Sequence, residues 1–256
     1  MKILKYFLGL LCLIQFFSCG KDCESCDPII INQQLEFANL GQAHEQLFRL
    51  DSVLVVGFPG DTVKRSYLLK ELISEDSDPS FALDVFRVDR FLSRDQGNSF
   101  YQSELSQYQF LHNDVTRNYG NLPFKVLELP FKENKKWNGA AYFNPDGLQI
   151  LVNGEPMEFF KNDWYNDFTY TSFNLFEEVE GTGYDSVITV RQGNYEALNE
   201  IRYSIEKYAW KVGLIYKELS IFDESCSQVG SDTCRTGLDW VLRGERGFHM
   251  KQWRIN

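Results

Sequence analysis

From Ile29 onward, apolar and polar residues alternate in short stretches that break at Gly, Pro, Asn and Asp. A period of two is the mark of a strand with one face buried. These stretches predict strands over 52–58, 66–73, 82–92, 125–130, 148–152, 167–178, 184–191, 201–210 and 213–222. The clearest is 201–210, where Ile201, Tyr203 and Ile205 alternate with Arg202, Ser204 and Glu206. The first three are expected on a dry face and the last three in water. Residues 240–242 and 249–255 predict a closing hairpin around 243–247. Asn138-Gly139 and Asp146-Gly147 tolerate the positive backbone angles of tight hairpin turns, and Trp137 and Tyr142 would flank the first. One stretch suits a helix, because Leu35, Leu40, Ala43, Leu47 and Leu50 fall loosely on one side of a helical wheel over 35–50.

No composition shift, Pro/Ser-rich linker or internal repeat divides residues 32–256. The expected fold class is therefore all-β: a single antiparallel domain, a barrel or half-barrel, with at most one or two short helices. A two-sheet sandwich is the alternative. The 15% aromatic content, with 21 Phe and 13 Tyr, agrees with strands.

The N-terminus carries a different pattern. Lys2 and Lys5 precede an apolar run from Tyr6 to Phe17, as in a secretion signal. A run of this length is too short to stay as a membrane helix, which needs about 20 residues. Phe16-Phe17-Ser18-Cys19 resembles a bacterial lipobox. That resemblance implies that residues 1–18 are cleaved and that Cys19 becomes the acylated first residue. Residues 19–31 would then form a flexible tether, and Lys21-Asp22-Cys23-Glu24 within it looks like the surface-export signals of Bacteroidota lipoproteins. The resulting expectation is a lipoprotein of the outer membrane, facing either the periplasm or the outside, with its body attached through the N-terminal lipid.

A formal charge of −10 repels phosphate backbones, so nucleic acid is excluded as a partner class. Removing Cys12 with the signal and acylating Cys19 leaves four cysteines in an oxidising compartment. Cys226 and Cys234 flank a polar loop, and a local disulfide between them is expected. Cys23 and Cys26 have redox-motif or zinc-motif spacing, but they stand in the tether without a second pair, and their pairing stays open.

Three segments are similar to a group of uncharacterised Bacteroidota lipoproteins: Lys125-Val126-Leu127-Glu128-Leu129-Pro130-Phe131, the turn Trp137-Asn138-Gly139, and Tyr208-Ala209-Trp210-Lys211-Val212-Gly213. The resemblance implies an all-β lipoprotein and carries no activity with it.

Catalytic patterns are sparse. His44-Glu45 opens like a zinc-protease helix, but Phe48 stands where the second histidine belongs, and no metal or cofactor is expected. Ser204 and Lys207 have serine–lysine spacing, which on a strand sends them to opposite faces. Glu177, Glu178 and Glu180 could supply a carboxylate pair for a glycan hydrolase, though a solvated strand end explains them more simply. Trp164, Tyr165, Phe168 and Tyr170 mix with acids and amides as in a glycan-binding or peptide-binding surface, against the simpler account of core packing. Asp51-Ser52-Val53, Asp61-Thr62-Val63 and Asp185-Ser186-Val187 resemble O-glycosylation sites of exported Bacteroidota proteins, which makes Ser52, Thr62 and Ser186 candidates. The leading expectation is a non-enzymatic β domain that binds an envelope protein, a glycan or an apolar ligand. A hydrolase using paired carboxylates and a structural accessory of the envelope are the alternatives.

Overall fold

A computed structural model describes residues 33, 35–40, 42–56, 61–75, 85–111, 113–158, 167–225 and 237–255. Twelve strands form one antiparallel sheet. The first run is β1 (His44–Val55), β2 (Thr62–Glu75), β3 (Val85–Ser93), β4 (Tyr101–Leu111), β5 (Asp114–Tyr119) and β6 (Leu122–Glu128). After the short β7 (Lys136–Trp137) and a separate hairpin of β8 (Gln149–Val152) and β9 (Glu155–Glu158), a second run follows. It comprises β10 (Phe168–Val179), β11 (Thr182–Glu196), β12 (Glu200–Ala209), β13 (Gly213–Asp223) and β14 (Arg246–Arg254). The two runs join where the first strand pairs with the last, with Leu50 opposite Gln252.

The sheet curls until β6 nears β7 and β10, making a nearly closed barrel. The seam is bridged by the Lys125 amide donating to the Gly139 carbonyl at 2.8 Å and by the Trp137 indole donating to the Lys125 carbonyl at 2.9 Å. The Tyr170 hydroxyl also spans it, accepting from the Glu128 amide at 2.8 Å and donating to the Glu128 carbonyl at 3.0 Å. Lys135 adds an ion pair to Glu128 at 3.1 Å. The expected barrel is thus the architecture found, and the twelve strands do not divide into a sandwich.

Hairpin turns fall where both central residues hold positive φ. These are Gly120-Asn121, Asn153-Gly154 and Glu180-Gly181, the geometry that matches strand twist. The Asn138-Gly139 turn is different: neither residue has positive φ, and the Asn138 side chain accepts from the Ala140 amide instead. Gly139 is needed for space, since a Cβ there would stand 2.4 Å from Cζ of Phe168. Tyr142 lies in the following turn region rather than on a strand arm.

Two element assignments are corrected. The helix expected over 35–50 is helical only at 35–38, and β1 begins at His44. At the start of β1, Gln46 and Phe48 are buried and Leu47 between them is half-exposed, so period two governs there. Trp240–Arg243 is a short helix rather than a hairpin arm, because the Asp239 carboxylate caps it by accepting from the Val241 amide at 2.9 Å.

The two faces of β12 are also inverted from expectation. Arg202, Ser204 and Glu206 are buried, while Ile201, Tyr203 and Ile205 are half-exposed. The barrel interior is the polar side here, because it holds partners that neutralise these groups.

Candidate ligand-binding cavity

Short elements pack at both ends of the barrel, and the interior still opens to solvent beside Ser103, Gly120 and Gln149, which are exposed. At the end where β12 turns into β13, Phe37 of the first helical turn packs edge-on against Phe131 and Trp210, each with ring centroids 5.0 Å away. At the other end the β8–β9 hairpin folds against the barrel, with Val152 and Met157 buried beside Ile221, Leu54 and Phe248. The hairpin is tied on by Asn153 donating to the Val56 carbonyl and by Arg202 reaching the Glu158 carbonyl at 3.4 Å. Arg202 is itself fixed by Asp223 at 2.6 Å and by the Phe222 carbonyl.

Beneath the hairpin lies a cavity of about 640 Å³. Leu50, Leu69, Leu92, Leu122, Phe124, Leu219 and Met250 give it an apolar wall, and Ile150 contributes from the hairpin. The polar lining comes from Gln192, Ser204, Lys217 and Gln252 on one side and from Arg90, Glu104 and Arg117 on the other. A volume in this range holds a drug-sized or lipid-fragment ligand when most of the wall is apolar.

The charged lining is built by register. Glu71 lies opposite Arg90 and Arg90 opposite Glu104 on neighbouring strands. Arg90 bonds Glu104 at 2.6 Å and stands 3.0 Å from Glu71, and Arg117 reaches Glu71 at 2.6 Å while donating to the Tyr108 hydroxyl at 2.8 Å. Around the wall, Glu206 pairs with Lys217 at 2.9 Å and accepts from the hydroxyls of Tyr208 and Tyr119. Burial by itself raises the Glu71 carboxyl, but Arg117 and then Arg90 outweigh it and hold the group below the ordinary range. Glu206 is likewise lowered, with burial opposed by Lys217 and Tyr208. Both are carboxylates at neutral pH.

No family model and no curated protein matches the chain. Among solved structures it is similar to a LolA superfamily protein from Nitrosomonas europaea, at 9% identity and a TM-score of 0.22, covering 90% of this chain and 91% of that one.

The residues singled out in the sequence are placed variously. Phe168 lines the cavity and is buried against Trp137, and Tyr170 is fully buried with its hydroxyl committed to the seam. Both are interior residues rather than an exposed face, and Trp164 and Tyr165 lie outside the described residues. Glu177 is held by Thr189 and Lys207, while Glu178 and Glu180 are exposed at the β10–β11 end, so this group is a strand terminus on the outside. Ser204 faces the cavity and donates to Gln192 at 2.7 Å, whereas Lys207 points the other way to Glu177. Ser52 and Thr62 are half-buried on β1 and β2; Ser186 is half-buried at φ 54° in β11. Cys19, Cys23, Cys26, Cys226 and Cys234 lie outside the described residues. Among the described residues, no group of three or more His, Cys, Asp or Glu side chains is arranged to hold a metal.

The sequence reading missed most of the cavity wall. Arg90, Glu104 and Arg117 read locally as surface charges, and only long-range pairing turns them inward. The one available signal was parity: Leu69, Glu71 and Ile73 are successive same-face positions on one strand, and a carboxylate between two apolar neighbours implies a buried partner.

Proposed function

We propose that this protein is a non-enzymatic binding domain that takes an apolar ligand into the barrel interior, and that an acylated Cys19 tethers it to the outer membrane. The carrying observation is the 640 Å³ cavity with its wall of leucines, Phe124 and Met250. Burying apolar surface there is favourable by about 25 cal/mol per Å². The lipobox-like sequence supports the tether. An interior site favours a small apolar ligand over a glycan, which would meet leucine side chains across most of the wall.

The test is titration of the purified protein with N-phenyl-1-naphthylamine, an uncharged dye that fluoresces in apolar surroundings, with empty lipid discs as the blank. Saturable binding that is lost in Leu92→Trp, which fills the cavity, is expected. Equal signals from the two proteins would refute an interior site. Metabolic labelling with an alkyne fatty acid checks the tether, and label retained in Cys19→Ala would refute it.

A second reading has one observation of its own. Phe173, Leu175 and Phe176 on β10 are 38%, 53% and 67% exposed. A strip of this kind suits an envelope protein partner. Cross-linking from position 175 in native membranes tests it, and a cross-linked adduct that disappears in Phe176→Ser is the expected result.

A further inference from the structure

Among the described residues, the charged groups at the cavity form a closed set. Three cations, Arg90, Arg117 and Lys217, meet three carboxylates, Glu71, Glu104 and Glu206, at separations of 2.6 to 3.0 Å. No cation of the set is left over for an anionic ligand. Bringing in a carboxylate would add an unpaired charge beside buried groups whose charges are already matched, which is opposed.

The polar atoms left without a hydrogen bond tell the other half. Among the buried atoms of the cavity lining, Arg90 Nε, Arg117 Nε and Gln252 Nε2 lack one. Arg90 Nε stands 3.0 Å from Glu71, which balances it electrostatically. Arg117 is 1% exposed and Gln252 2%. All three atoms are N–H donors, and a buried donor is incomplete until it meets an acceptor. Gln252 is the best placed for a ligand: its strand neighbours are Leu50 on one side and Lys217 on the other, where the apolar wall meets the polar one.

Resting on the interior-binding proposal above, we infer that the cavity takes an uncharged amphiphile whose ester or amide carbonyl accepts from Gln252 Nε2, with its hydrocarbon chain along Leu50, Leu69 and Met250. The site supplies donors and no spare charge, so it selects a neutral acceptor over the free acid of the same chain length.

The experiment displaces N-phenyl-1-naphthylamine from the full protein at pH 8 with methyl dodecanoate and, separately, with dodecanoic acid. The ester is expected to act at a concentration at least about tenfold lower than the acid, the difference coming from the unpaired charge alone. Gln252→Leu is expected to weaken displacement by the ester about threefold or more relative to displacement by dodecane, each read against the variant's own dye affinity, because the hydrocarbon has no hydrogen bond to lose; an unchanged ratio would overturn the contact with Gln252. Should Gln252→Leu not fold, Gln252→Asn, which withdraws the amide, reads the same ratio. An acid as effective as the ester, or an ester that leaves the dye in place, overturns the inference while dye binding preserves the interior site. Absence of dye binding removes the interior site itself, and the inference with it.

Discussion

Arg117 Nη2 lies 2.6 Å from Glu71 Oε1, with both side chains 1% exposed and the two residues 46 positions apart in the chain. The pair joins β5 to β2 through the barrel interior, so it reports on the whole first run of strands.

Removing one partner leaves a buried charge without compensation. Glu71→Gln is expected to destabilise the protein by about 3–5 kcal/mol, read from urea denaturation. The double variant Glu71→Leu with Arg117→Met is expected to recover most of that loss, because an apolar pair of similar volume avoids the desolvation cost. A double variant as unstable as the single one would show that the pair does more than neutralise itself.

Acid is expected to unfold the protein in two stages. The imidazole of His249 is lowered from 6.5, by burial first, with Glu218 opposing and Lys251 assisting. Glu71 and Glu206 are lowered from 4.5. In every case the unfolded chain binds protons more readily than the folded one. The contribution of these three groups is therefore complete above pH 6.5, begins to fall as pH drops through the His249 range, and falls further below pH 4.5 as the two carboxylates are protonated. Urea midpoints from pH 8 to 3 test this. His249→Gln is expected to abolish the upper stage and leave the lower one.

The seam depends on one hydroxyl. Tyr170→Phe leaves the part-buried Glu128 amide without its acceptor, an expected cost of about 1 kcal/mol. Hydrogen exchange at the Glu128 amide should accelerate more than at neighbouring β5–β6 amides. Uniform acceleration would place the effect elsewhere.

Two glycines separate steric from conformational demands. At Gly247, with φ +136°, a Cβ would stand 2.1 Å from the Ile221 carbonyl oxygen; at Gly147, with φ +73°, it would meet nothing within 4 Å. Gly247→Ala is expected to cost about 2–4 kcal/mol and Gly147→Ala about 1 kcal/mol by urea denaturation.

Strand content and antiparallel class were legible in the alternation of strands such as β2, β3 and β13, where apolar residues fill one face often enough to show. β4 and β5 escaped notice because Glu104, Ser106 and Arg117 share their inward positions with Tyr108, Phe110 and Val115, which breaks the hydrophobic alternation. The same cause inverted the faces of β12. Any rule that sends charged residues outward fails where pairing happens across the barrel, since Tyr119 and Glu206 are 87 residues apart and nothing local links them. The helix expected at 35–50 failed for a related reason: Gln46 is buried on the inner face of β1, which broke the alternation at the place where a strand had to be recognised. The candidate site was legible only in Phe168, an interior aromatic; the leucines of its wall looked like ordinary core.

Along most of its circumference the wall is fastened by main-chain ladders, yet between β6 and β10 it is fastened largely by a phenol, an indole and an ammonium group. Such a clasp can part and re-form without any strand losing its neighbour. A guest bulkier than the resting volume is therefore expected to widen the barrel at this one place rather than unravel the staves.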